Sequence, residues 1–445
     1  MKMNYLSRFA LILFLLSASS LVFAQNGNLV DFSAQTALVS EFDVNGLKVI
    51  LKRRPGSATV AGGLFIRGGA RNITDKNAGI EQLMLSTAIE AGKTVPRQAL
   101  RRELASKGSS IGAAVSNDYS AISFGTTKPD FPRIFDLLAK VVLDPAFAED
   151  DLKRNREQIL TGLRESGSVP EAALATLQER VIYAGHPYAN DVTGTPATIG
   201  ALTADDLRAY HKKIMETQRL LFVFVGDLDP EQLKAKITET FGKLPRGNYV
   251  DQPYPALDFS KGSLDATQRS LPTNYLKGVF AAPSPDNADY YAMRVAMAVL
   301  QTLVYQEVRG RLQLSYAPDA EIDSLSANTA NISVSTTDPN HATTAMLNQM
   351  KFLKERTLNQ EVIEEISSFF LTRHYMGQET SGAQVGELAK YELIGGGWRK
   401  SYEFLNGVKA VTGSDVQKVA NKYMKNIRFA YIGNTAVLDR KIFVP

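Results

Sequence analysis

Two stretches of this chain, roughly 209 residues apart, repeat one another, and a period that long points to two similar halves rather than to a solenoid. "LTADDLRAYHKKIMETQRLLFVFVGD", from Leu202, aligns with "VTGSDVQKVANKYMKNIRFAYIGN", from Val411. Thr203 pairs with Thr412, Asp206 with Asp415, Lys213 with Lys422, Met215 with Met424 and Arg219 with Arg428. After a two-residue deletion, Gly226 pairs with Gly433. Each copy reads as a threonine N-cap, an amphipathic helix, and an apolar strand stopped by glycine.

The halves account for most of the length. Residues 1–24 carry Lys2 and Arg8 ahead of an apolar run and end in Val22-Phe23-Ala24, the pattern of a cleavable secretory signal peptide. The remainder, 25–243 and 264–445, is expected to form two domains, joined by a linker at 244–263 rich in proline, glycine and polar residues. The chain contains no cysteine, which excludes a lipid-anchored N-terminus, thiolate metal sites and thiol nucleophiles. A periplasmic or secreted location is therefore expected. No later apolar run is long enough to span a membrane, and a net charge of +4 gives no reason to expect nucleic acid as a partner.

Within the first half, "FDVNGLKVILKRR" predicts a hairpin turning at Asn45-Gly46, and "TVAGGLFIRGG" a further strand. Helices are predicted at about 79–91 and 96–107, and a second hairpin turns near Asn117-Asp118. Three more helical segments follow. Strands and helices come in blocks, which predicts an α+β fold: two similar halves, each a mainly antiparallel sheet with helices packed on one face.

These features together resemble the insulinase/pitrilysin family of zinc metallopeptidases, in its short mitochondrial-processing-peptidase-like branch. The resemblance rests on the two halves, the "NAG" turn entering a helix near residue 80, "GHPYANDVTGTPATIGALTADDLRAYH" and "FVGDLDPEQLKAKI". Active members carry H-x-x-E-H, two histidines at i and i+4 that hold zinc and a glutamate general base, with a third ligand on a later helix. Aligned from Gly79, the motif falls on Gln82, Leu85 and Ser86; slipped by one, it falls on Leu83, Ser86 and Thr87. The acidic pair near the third ligand aligns with Thr161-Gly162, flanked by Glu157 and Glu165. The resemblance thus implies a member lacking the zinc motif, which binds no cofactor itself. The four histidines agree: His186, His211, His341 and His374 are widely spaced. His186 is read as a loop contact and His211 as a surface residue.

Family members with a working site also carry an arginine and a tyrosine seven residues apart in the second half. Here Arg309 and Tyr316 keep that spacing, although Gly310 and Gln313 depart from the pattern, glycine being usual at 313. An arginine at a helix end and a tyrosine on the next strand could donate hydrogen bonds to a substrate carbonyl and a developing oxyanion. The resemblance implies a non-catalytic subunit of a heterodimer. A homologous partner bearing H-x-x-E-H would hold the zinc, and this chain would contribute Arg309 and Tyr316 to the degradation of extended peptides. Two alternatives stand beside it: a peptide-binding or scaffolding pseudopeptidase, and an autonomous zinc metalloendopeptidase. The glycines of "IGGGW", Ile394 to Trp398, read as an ordinary connection or as room for a peptide backbone.

Overall fold

Asn45 and Gly46 both take positive φ, 54° and 91°, the requirement of a two-residue type I′ turn, so the first hairpin closes where the sequence places it. The computed structural model describes residues 30–444; the expected signal peptide lies outside them. From Phe32 onward the chain forms one compact unit. Among the described residues no helix is long and apolar enough to cross a membrane.

The first half builds a six-stranded sheet from β1 (Val39–Val44), β2 (Leu47–Arg53), β3 (Thr59–Arg67), β4 (Ser110–Val115), β5 (Tyr119–Thr127) and β6 (Leu220–Gly226), in the order β1-β2-β6-β3-β5-β4. The second half builds a five-stranded sheet from β7 (Ser263–Gln268), β8 (Asn274–Ala281), β9 (Asp319–Ile322), β10 (Thr329–Thr336) and β11 (Arg428–Gly433), in the order β7-β11-β8-β10-β9. Removing β1 makes the two orders equivalent. In each sheet one pair is parallel, β2 with β6 and β7 with β11, and the other pairs are antiparallel.

The repeat is reproduced atom by atom at its helix starts. Thr203 and Thr412 each accept a hydrogen bond from the amide three residues on, at 3.2 Å. Asp206 and Asp415 reach back to the threonine amides at 2.8 and 3.1 Å. These reciprocal capping boxes satisfy donors that a helix start would otherwise leave open. Each helix then runs into its apolar strand, β6 or β11.

Those two strands are apolar without alternation, "LLFVFVG" and "RFAYIG", because both of their faces are covered. Helices of the same half pack on one face of each sheet. The other face receives a helix from the opposite half: Ser381–Ile394 lies on β3 and β6, and Pro170–Ile182 lies on β11 and β8. Leu174 and Leu177 join Ala430 and Ile432 in one buried cluster. Gly63 marks the reciprocal contact, since a Cβ there would stand 3.3 Å from Val385 and closer still to the Phe65 ring. The halves are therefore an interlocked pair.

The segment 244–263 carries no helix, and its strand begins only at Ser263. It is strapped down along its length. Asp251 pairs with Arg67 and Arg71, the Arg71 guanidinium stacks 3.6 Å from the Tyr254 ring centre, and the Tyr254 hydroxyl donates to the carbonyls of Gly68 and Asn117.

Candidate functional site

The helix at the position of the zinc motif is Ile80–Ala88. Ile80, Leu83, Met84 and Ala88 are buried as the 3.6-residue period predicts, and Leu85 and Thr87 are buried with them. Leu85 is thus a core residue. Gln82 and Ser86, one helical turn apart, are only partly covered, and the Gln82 amide donates to the Ser86 hydroxyl at 3.0 Å. The pair satisfies itself by a neutral hydrogen bond where two imidazoles would converge on a cation.

The later helix, Glu149–Ser168, packs across the first. Its buried Asn155 donates to the Ser86 carbonyl at 3.3 Å and lies 3.4 Å from the Thr87 hydroxyl. Thr161 and Gly162 lie on its exposed side, as do Glu157 and Glu165. An amide, an isobutyl group and a hydroxyl do not fit zinc, and among the described residues no three His, Asp or Glu side chains are grouped to hold a metal ion. The residues at the degenerate site do not accommodate the family's metal.

Beside Gln82, the neighbouring Glu81 points into the core, a residue the sequence reading passed over. Its Oε2 accepts from the Tyr210 hydroxyl and from Asn72 Nδ2 at 3.3 Å, while Oε1 has no partner. Arg219 completes the network through Asn72 Oδ1 at 2.7 Å. Burial pushes the Glu81 carboxyl above the ordinary range, against the donors that favour its charge. Only the fold brings Tyr210 and Arg219 to this helix, so no local pattern announces the network.

Two of the histidines, His186 and His211, are structural. His186 is buried, with Nε2 3.0 Å from the Pro255 carbonyl and Nδ1 accepting from the Tyr188 amide at 3.1 Å, a loop contact as read. His211 is half-buried rather than a surface residue. Its ring packs edge-on against Phe147, and Nε2 lies 2.7 Å from the Val142 carbonyl. Burial lowers the pKa of both, so each is held neutral.

Arg309 and Tyr316 come together in the second half. The Tyr290–Val304 helix continues into a π-helical segment, Tyr305–Arg311, which carries Arg309. Tyr316 lies in the loop before β9, not on the strand, and is 87% exposed. Arg309 Nη1 donates to the Tyr316 carbonyl at 2.8 Å. Its guanidinium lies 5.0 Å from the Tyr305 ring centre and 5.8 Å from that of Tyr316. One edge of the guanidinium thus shapes the loop, leaving further N–H groups and the tyrosine hydroxyl facing outward. Gln313, where glycine is usual, holds φ at 53°, so the loop keeps the glycine's left-handed backbone without its freedom.

The "IGGGW" loop borders a polar cavity of about 720 Å³ between the halves. Its charges are mutually engaged. Glu41 of β1 accepts from Trp398 Nε1 and Arg399 Nη1, both at 3.1 Å, and Lys48 bridges Glu41 at 3.1 Å to Glu392 at 2.7 Å. Burial acts to raise the Glu41 carboxyl, but the bonds from Trp398, Lys48 and Arg399 prevail and hold it down at about 2. On the other wall, Asp118 accepts from the buried Tyr188 hydroxyl at 2.5 Å and from the Ser326 amide at 3.1 Å. The loop is an anchor between the halves, and Trp398 is buried.

Comparison with known proteins gives this geometry its setting. Residues 48–196 match the family described as Insulinase (Peptidase family M16), and residues 201–368 match the Peptidase M16 inactive domain. Subunit 1 of the mitochondrial cytochrome b-c1 complex of Bos taurus is 24% identical over 265 residues, 59% of this chain and 55% of that subunit. The chain thus spans about half the length of that relative. An uncharacterized zinc protease of Mycobacterium tuberculosis is 23% identical over 397 residues, covering 84% of this chain and 88% of that protein. The crystal structure of a peptidase M16 inactive domain from Pseudomonas fluorescens shares the fold, with a TM-score of 0.80 at 19% identity, over 89% of this chain and 98% of that one.

Proposed function

The chain belongs to the insulinase family, peptidase family M16, and on that premise we propose that it is the non-catalytic subunit of an exported heterodimeric peptidase. The observation that carries the reading is the contrast between its two half-sites. At the positions aligned with the zinc motif the Gln82 amide and the Ser86 hydroxyl bond to one another beside a buried Leu85, and these three side chains offer neither a metal ligand of the family's kind nor a base. In the second half Arg309 and Tyr316 are held together and exposed. A homologous partner bearing H-x-x-E-H would contribute the metal and the base. This chain would present Arg309 as a permanent cation and Tyr316 as a neutral donor to the carbonyl of an extended peptide. Backbone recognition of that kind gives broad sequence preference.

The test is reconstitution with an exported homologue that carries H-x-x-E-H. Peptide hydrolysis is expected only from the mixture. Arg309→Ala or Tyr316→Phe in this chain is expected to lower turnover about 100-fold, the effect of removing one oxyanion donor, with complex formation intact. Full activity of the mixture with both variants would leave this chain a scaffold. Hydrolysis by the purified chain alone would replace the proposal with an autonomous enzyme.

A further inference from the structure

A second cavity, of about 420 Å³, lies among four helices of the second half and is closed on one side by Tyr119 of the first. Each helix contributes residues at helical spacing. Tyr290–Val304 gives Tyr290 and Arg294, and Gln360–Gly377 gives Phe370, Arg373, His374 and Gly377. Ser381–Ile394 gives Ala383, Gly386, Glu387, Lys390 and Tyr391, and Lys400–Lys409 gives Phe404.

The charge balance of this cavity differs from that of the 720 Å³ cavity. Most cations bordering the 720 Å³ cavity are paired with carboxylates, whereas among the described residues Arg294, Arg373 and Lys390 form no hydrogen bond or ion pair. Arg294 is half-buried, with its guanidinium 5.9, 5.6 and 5.7 Å from the ring centres of Tyr290, Phe370 and Phe404. Aromatic rings satisfy the faces of a guanidinium and leave its edge N–H groups in need of acceptors. Arg373 lies against the Phe369 ring, and Lys390 lies against the Tyr391 ring within reach of the Glu387 charge.

Glu387 is the single carboxylate in the lining, and Gln378, His374 and the charge of Lys390 engage it. Its Oε2 accepts from Gln378 Nε2, and Oε1 lies 3.8 Å from His374 Nδ1. Lys52 reaches the same cluster through Gln378 Oε1 at 3.3 Å. Burial and the neighbouring Lys52 keep His374 neutral, so it adds no charge.

We infer that this cavity binds a carboxylate attached to an apolar body, the C-terminal residue of a peptide. The carboxylate meets the free guanidinium edge of Arg294, with Arg373 adding to the positive field and Lys390 shared with Glu387. The side chain lies against Phe370, Phe404 and Tyr290. The volume suits one or two residues. At Gly386, as at Gly377, an added Cβ would meet nothing within 4 Å, which leaves room for the preceding peptide backbone. The lining includes neither Arg309 nor Tyr316.

Calorimetric titration of the purified chain tests it with a pentapeptide ending in phenylalanine, as the free acid and as the C-terminal amide. The acid is expected to bind at least tenfold more tightly than the amide. Arg294→Gln is expected to remove that difference. Gly386→Leu is expected to abolish binding of both peptides while leaving the melting temperature unchanged or higher, because leucine favours a helix interior that glycine weakens. N-acetylphenylalanine competing as well as the peptide would retain the carboxylate site and assign a free acid as its source. Equal binding of acid and amide, binding indifferent to Arg294→Gln, or no binding of either peptide would overturn the inference.

Discussion

The side-chain amide of Gln82 donates to the hydroxyl of Ser86 at 3.0 Å, one helical turn away, and alignment from Gly79 sets these two residues against the family's zinc-binding histidines. In that register the helix offers an amide and a hydroxyl in place of two imidazoles. Gln82→His with Ser86→His would restore two ligands of the four that tetrahedral zinc takes. The double variant is expected to fold, to bind zinc only weakly against a chromophoric chelator, and to hydrolyse nothing alone. Adding Leu85→Glu is expected to cost about 3 kcal/mol or more in urea unfolding, because the carboxyl replaces a fully buried core side chain.

Trp398 is the only tryptophan in the chain, and its indole donates to Glu41 at the junction of the halves. The Glu41 carboxyl titrates near 2 in the folded protein, below its ordinary 4.5. Its contribution is therefore present above about pH 4.5 and is lost as the pH falls toward 2. Solvent screening at this part-exposed group limits the contribution to about 1 kcal/mol. Trp398 emission is expected to shift to the red across that window. Glu41→Gln should flatten the acid transition, and an unchanged transition would mean that another group controls the junction.

How much of this was legible depended on the range of the forces involved. The capping boxes of Thr203 and Thr412, the Asn45-Gly46 turn and the apolar runs of β6 and β11 are set by neighbours within a few residues, and the sequence displays them. The absence of H-x-x-E-H is a matter of local spacing and is read directly from the chain. What assembles across the halves was not. Nothing near Trp398 announces Glu41, and nothing near Ser381–Ile394 announces that it covers β3 and β6. His211 looked like a surface residue because its helix is amphipathic, yet Phe147 and the Val142 carbonyl enclose it from another element. Tyr316 has the spacing expected of it, but the chain reaches β9 only at Asp319, which leaves the tyrosine on a loop.

Asp118 and Tyr188 form the other tie between the halves. The Tyr188 hydroxyl donates to Asp118 and accepts from the Ala327 amide of the second half at 3.2 Å. Tyr188→Phe would leave a buried carboxylate oxygen and a buried amide without their partner. A loss of about 2 kcal/mol in urea unfolding is expected, the usual cost of unsatisfied buried polar groups. Because the two residues share one network, Asp118→Asn combined with Tyr188→Phe should cost clearly less than the sum of the single variants. Additive losses would show that the two side chains act independently.

Glu81 places a carboxyl in the first core with one oxygen unpartnered, and burial raises its pKa above 4.5. Below that value the group is neutral in both folded and unfolded chains, so folding carries no titration penalty. As the pH rises, the unfolded chain ionises first, and stability falls until the folded carboxyl titrates as well. Glu81→Gln remains neutral throughout, and its amide oxygen can still accept from Tyr210 and Asn72. The variant is expected to be more stable than the parent at pH 8 by about 1–2 kcal/mol, with the advantage vanishing near pH 4. Urea unfolding of both proteins at the two pH values measures the difference. An effect of equal size at pH 4 and pH 8 would place its origin in packing and not in the buried charge.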